Sequence, residues 1–197
     1  MTQQTESVVT RERFDSGLKW PEYLEHIRRN REKFKYNYDE STLSAEDAAA
    51  FKSLAEKPNG AARVLAIGED WCPDVFRGVP VMVRIAEAAG MDLRIFPRDD
   101  NLDIMNEFLN EGVHQSIPVF VFYTRDHDYI CHWIERPVKA NDEMHEYRSL
   151  FDGLDREKDM QEMRPRNDEF QRSERWAGWR EATVSEIRAL LEKHCGD

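Results

Sequence analysis

The sequence predicts an α/β fold of three layers, a mixed central sheet with helices on both faces, plus extra helices at both ends of the chain. Two observations carry this. Short apolar runs, Val64-Leu-Ala-Ile67 and Leu93-Arg-Ile-Phe96, alternate with segments whose apolar residues recur at helical spacing, as parallel crossover units require. Two further runs, 119–123 and 129–134, flank Thr124-Arg-Asp-His-Asp128, a link short enough for an antiparallel hairpin. Parallel units followed by a hairpin make the sheet mixed.

The first third reads as helices. Tyr23, Leu24, Ile27 and Phe34 repeat at helical spacing after Trp20-Pro21, where the proline suits a first turn. Ser44 to Asp47 reads as a cap for a helix carrying Ala48, Phe51, Leu54 and Ala55, stopped at Pro58-Asn59-Gly60. The strand at Val64 leads into Glu69-Asp-Trp-Cys-Pro-Asp-Val75 and a helix from Pro73 to Ala89 that Gly90 ends. A helix through Leu102, Met105, Phe108 and Leu109 follows the second strand and closes at Gly112. After the hairpin, Met144, Tyr147, Leu150, Phe151 and Leu154 share a helical face, Arg164-Pro165 interrupts, and a last helix turns Trp176, Trp179, Thr183, Ile187, Leu190 and Leu191 inward.

Composition narrows the function classes. The 197 residues suffice for one substantial domain, and 39 acidic against 28 basic side chains give a net charge of −11, which repels phosphate backbones. No nucleic-acid partner is therefore expected, and the basic run from Arg28 to Lys35 reads as a solvated helix face. Cys72, Cys131 and Cys195 are too few and too scattered for a disulfide framework, which points to a reducing cytoplasm. The opening MTQQTESVVTRERF has no apolar core, and no run approaches the ~18 apolar residues of a membrane span, so neither targeting nor a membrane partner is expected. Cys131-His132 and His194-Cys195 lack a paired Cys-x-x-Cys, so no metal site is assigned.

A strand ending in Trp71-Cys72, a helix opening at Pro73 with Pro80 eight residues after the thiol, and Ile117-Pro118 before a hairpin together resemble the thioredoxin superfamily. The resemblance implies a thioredoxin-like core over residues 61–154, an N-terminal helical extension over 1–60 and a C-terminal one over 155–197, within one compact domain. It also implies a cis peptide at Pro118, a catalytic Cys72, and a substrate groove of Trp71, Pro73, Asp74, Ile117 and Pro118. Glu69-Asp-Trp-Cys with Asp74, and Trp133 with Arg136-Pro137, are similar to a bacterial group in which the second cysteine is often missing. Here Val75 stands at the resolving position, and Ala66 stands where thioredoxins place a buried aspartate.

The physical chemistry of the lone thiol follows from its place. At a helix N-terminus it faces unpaired N–H groups and the positive end of the dipole, so its pKa is expected to fall. A fall from ~8.5 to ~7 raises the thiolate fraction at neutral pH from ~3% to ~50%. Asp74 opposes this by at most ~1 kcal/mol, and Arg77 is expected to face solvent. Cys131 is expected to pack beneath the sheet, and Cys195 to be exposed and incidental.

Two functions remain open on these residues. One is a monothiol oxidoreductase acting on protein or small-molecule disulfides, with no bound cofactor and with glutathione or another low-molecular-weight thiol as co-substrate. The alternative is a redox-inactive peptide- or protein-binding module that keeps the groove.

Overall fold

The computed structural model describes residues 7–155 and 157–195, so the first six residues of the opening stretch lie outside it. Four helices come first: α1 (Arg11–Asp15), α2 (Trp20–His26), α3 (Arg31–Glu40) and α4 (Ala45–Glu56). Then follow β1 (Arg63–Gly68), α5 (Pro73–Ala89), β2 (Asp92–Pro97), α6 (Leu102–Met105), β3 (Val119–Tyr123) and β4 (Tyr129–Ile134). The chain ends with α7 (Val138–Asp142), α8 (Met144–Ser149), α9 (Met160–Phe170) and α10 (Glu174–Cys195).

The sheet order is β2-β1-β3-β4, with β1 parallel to β2 and antiparallel to β3, and β3 antiparallel to β4. Val64, Leu65, Ala66 and Ile67 are fully buried because β1 is interior and covered on both faces. Alternation along β4 separates those faces. Trp133 turns toward α10, where its Nε1 donates to Glu186 at 3.0 Å, while His132 turns toward the α6 side and meets the Phe108 ring at 5.3 Å.

The N-terminal segment covers an edge. Leu18 forms an antiparallel bridge with Ile95, its N–H donating to the Ile95 carbonyl at 3.0 Å and its carbonyl accepting at 2.8 Å, so part of the open side of β2 is paired within the chain. Ser44 caps α4, its side chain accepting from the Asp47 N–H at 3.0 Å. Across the molecule α10 packs on α5 and α4, and buried Asn37 of α3 accepts from Trp176 Nε1 at 2.9 Å and Arg180 Nη1 at 3.1 Å.

Three sequence expectations are corrected. The helix drawn through Leu109 ends at Met105; a turn with positive φ at Glu111 and Gly112 buries Phe108 without helical continuation, and Leu102 is exposed. The single face from Met144 to Leu154 is broken into α8 and turns ending at Gly153, whose φ is +79°. Pro165 lies inside α9 rather than interrupting it: its missing N–H orphans the carbonyl of Gln161, an exposed residue near the helix start that water can solvate.

Candidate functional site

The loop from β1 to α5 is held from two sides. Asp70 Oδ2 accepts the N–H groups of Arg28 and Arg29 at 2.8 Å each, and Glu69 Oε1 accepts the Asp99 N–H at 2.7 Å. These bonds fix the turn that ends at Cys72, the N-cap of α5, whose carbonyl accepts from the N–H groups of Val75 and Phe76 at 3.1 Å each. The half-buried Sγ faces the Ile117 carbonyl at 3.7 Å, and the Ile117–Pro118 peptide is cis. Gly78 lets α5 approach this loop, since a Cβ there would lie 3.2 Å from Pro118 Cγ.

The predicted groove residues fall into two sets. Trp71 is 43% exposed with the Arg98 guanidinium over its ring at 5.2 Å, and Pro73 is exposed beside it. Ile117 and Pro118 are buried, with the Ile117 carbonyl turned to the sulfur. Asp74 departs from the groove. It is 7% exposed and lies between two guanidinium groups, Arg77 Nη2 at 2.6 Å and Arg136 Nη2 at 2.8 Å.

Arg77 is corrected from solvent-facing to buried. It is 1% exposed and is enclosed by Trp176 and Trp179, whose ring centroids lie 4.9 and 5.2 Å from its Cζ. Its Nε and Nη1 donate to no acceptor among the described residues. Its burial follows from α10 lying over the first turns of α5, which local sequence does not reveal.

The thiol's expected acidity is corrected as well. Burial pushes the Cys72 pKa up, and the Asp74 carboxylate adds to that; the N–H groups of Val75 and Asp74 and the Arg136 charge act against it without prevailing. The helix terminus is present, but the sulfur is too desolvated for it to win. Cys195 is also corrected: it is 5% exposed, receives the Ala61 N–H and lies near Cys131, so it packs within the core rather than serving Cys72. Val75, at the resolving position, is fully buried, and Ala66 is fully buried in β1.

A cleft of about 690 Å³ opens along Trp71 and Pro73, walled by α3, α9 and the turns after α8. Sequence reading missed it because its walls come from segments more than a hundred residues apart. The outlying signal was the run of apolar residues 144–154 among charges, which reads as a helix face yet sends Tyr147, Phe151 and Leu154 to line this opening.

The comparisons agree with this architecture. No curated protein matches the chain. Among solved structures, a protein of unknown function from Pseudomonas aeruginosa is 14% identical, with 94% of this chain and 98% of that one covered at a TM-score of 0.64. An HIV epitope-scaffold is 17% identical, with 95% and 99% covered and a TM-score of 0.64. At these identities the likeness shows a shared fold, terminal helices included. A family profile described as thioredoxin matches residues 17–148, more than half of the sequence, and the chain belongs to that thioredoxin family.

Proposed function

We propose that this is a single-thiol thioredoxin-like protein of the bacterial Glu-Asp-Trp-Cys type, working in a reducing cytoplasm on protein or small-molecule disulfides. The observation that carries this reading is the position of Cys72 Sγ, at the start of α5 and 3.7 Å from the Ile117 carbonyl, beside an exposed Trp71. In the exchange, the Cys72 thiol loses its proton to solvent and its sulfur attacks one sulfur of the disulfide. The S–S bond breaks, the departing thiolate takes up a proton, and a mixed disulfide remains on Cys72. Val75 provides no second thiol, so a low-molecular-weight thiol such as glutathione attacks the substrate's sulfur in the mixed disulfide, forms a new disulfide with that half, and releases Cys72, which takes up the proton the attacking thiol gave up.

A second reading is favoured by the thiol's raised pKa. Burial and Asp74 hold Cys72 protonated at neutral pH, which suits a peptide- or protein-binding module that uses the groove without chemistry. One experiment separates them. Intact-mass analysis after incubation with oxidised glutathione is expected to show an adduct on Cys72 that excess reduced glutathione removes. A Cys72 that stays unmodified and resists alkylation leaves the module.

A further inference from the structure

The cleft beside Trp71 has a composition unlike the rest of the molecule. The chain carries 39 acidic and 28 basic side chains, yet the cleft's charged lining residues are Lys33, Arg148 and Arg164, with no carboxylate among them. Lys33 is engaged, its Nζ lying 2.9 Å from Asp168 Oδ1 and 2.8 Å from Gln171 Oε1. Arg148 and Arg164 are exposed and have no ion-pair partner among the described residues. Much of the remaining lining is soft and apolar, with Trp71 and Phe76 from the thiol's own loop and helix and Met160 and Met163 from α9, beside the polar Asn30, Asn167 and Gln171. The volume of about 690 Å³ lies within the ~300 to 1,000 Å³ of small-molecule sites.

We propose that this cleft binds the part of the exchange partner that does not carry the reacting sulfur. The partner is an anionic small molecule with a bulky aromatic or aliphatic body and at least two negative charges. The substrate class of the proposed exchange is thereby narrowed, and the inference rests on that reading for its chemistry though not for its binding. Aromatic and methionine side chains hold the body, and Arg148 and Arg164 meet the anionic end. The surrounding negative charge disfavours anions over most of the surface, so the two free guanidiniums set where such a molecule settles. A compact zwitterionic thiol such as glutathione leaves most of the apolar wall uncovered. Cys72 does not itself line the cleft, but its chain neighbours Trp71 and Pro73 do, so a molecule seated here reaches the thiol by a sulfur arm long enough to pass them. Attack by the Cys72 sulfur then breaks the partner's S–S bond and releases the other half as a protonated thiol, as in the exchange above.

Coenzyme A has these properties, with phosphates, an aromatic base and a thiol arm, and serves as the probe. Calorimetry with desulfo-coenzyme A, which cannot form a disulfide, is expected to show saturable one-to-one binding. The double variant Arg148→Glu/Arg164→Glu is expected to bind about tenfold or more weakly, about 1.4 kcal/mol per factor of ten, with an unchanged circular dichroism spectrum. Coenzyme A disulfide is expected to modify wild-type Cys72 about tenfold faster than glutathione disulfide does, and the double variant to lose that advantage. Absence of saturable binding, or equal binding by the double variant, overturns the inference. Binding of desulfo-coenzyme A with no adduct from either disulfide keeps the cleft and removes the exchange chemistry. An adduct from glutathione disulfide without desulfo-coenzyme A binding keeps the exchange and removes the cleft.

Discussion

Asp74 and Arg77, one turn apart at the start of α5, are both buried and meet at 2.6 Å, directly beneath the thiol-bearing N-cap. Arg136, which follows β4, reaches the other carboxylate oxygen at 2.8 Å, so one carboxylate ties the thiol's helix to the end of the sheet. Arg77→Ala removes one of the two cationic partners of Asp74, leaves Arg136 as the other, and empties the space between Trp176 and Trp179, so it is expected to lower the unfolding free energy by ~2 to 5 kcal/mol. Urea unfolding followed by tryptophan fluorescence measures this, and a loss under ~1 kcal/mol would show that the pair contributes little.

Removing the carboxylate acts on the thiol in the opposite sense. Asp74 raises the Cys72 pKa, so Asp74→Asn removes a raising influence and leaves the Arg136 charge, which lowers it. At pH 7 the variant's Cys72 is expected to react with iodoacetamide faster than the wild type, although the protein melts at a lower temperature. An unchanged rate in a folded variant contradicts this electrostatic account.

The pH profiles of the cysteines differ for physical reasons. Thiolate is the reacting form, and the Cys72 pKa is raised, so its alkylation rate is expected to climb mainly above the pH at which a free thiol does. Cys131, pushed up to about 12 by burial and by Cys195, is expected to stay unmodified in the native protein across the same range. Peptide mapping after timed alkylation reads both. A Cys72 profile centred below that of a free thiol would restore the helix-dipole expectation.

Val75 lies one turn from Cys72 on the same helix, and Val75→Cys is expected to form a reversible disulfide with it. The variant should then reduce insulin with dithiothreitol as reductant, where the wild type does so negligibly. Ala66 supplies no buried carboxylate, so the rate stays below that of a dithiol thioredoxin, and adding Ala66→Asp recovers part of it at a cost of ~1 to 3 kcal/mol. Insulin turbidity with the wild type and both variants under one set of conditions decides the point; strong activity in the wild type contradicts it.

Gly68 closes β1 against the same valine. A Cβ there would lie 2.8 Å from both Val75 methyl carbons, and a β-branched side chain has no rotamer that withdraws both. Gly68→Ala is expected to destabilise by ~1 to 3 kcal/mol, and pairing it with Val75→Ala to recover part of the loss through relieved overlap. Equal stability of Gly68→Ala and wild type would show that the loop yields.

The sequence was most legible where burial and local chemistry coincide. Val64 to Ile67 lie in an interior strand and so read as a continuous apolar run; Gly90 ends α5 with φ +70°, as a terminal glycine allows. Legibility failed where an apolar residue is buried by a turn, as at Phe108, or lines an opening, as at Phe151. Periodicity registers only that such residues avoid water, not what covers them.

By itself the sequence determined the mixed, helix-covered sheet, its parallel crossover and its hairpin, and the placing of a lone cysteine at a helix start, because these depend on local patterns and on the type of residue at each position. Only the tertiary structure decided the state of that cysteine. The fold of α10 over α5 buries Arg77 and orients Asp74 inward, and the packing around Sγ desolvates it, so the thiol's pKa rises where the helix terminus alone predicts a fall. The cleft beside it was likewise settled by distant segments meeting. Desolvation and the pairing of charges depend on which distant groups share a volume, and no window of neighbouring residues contains that information.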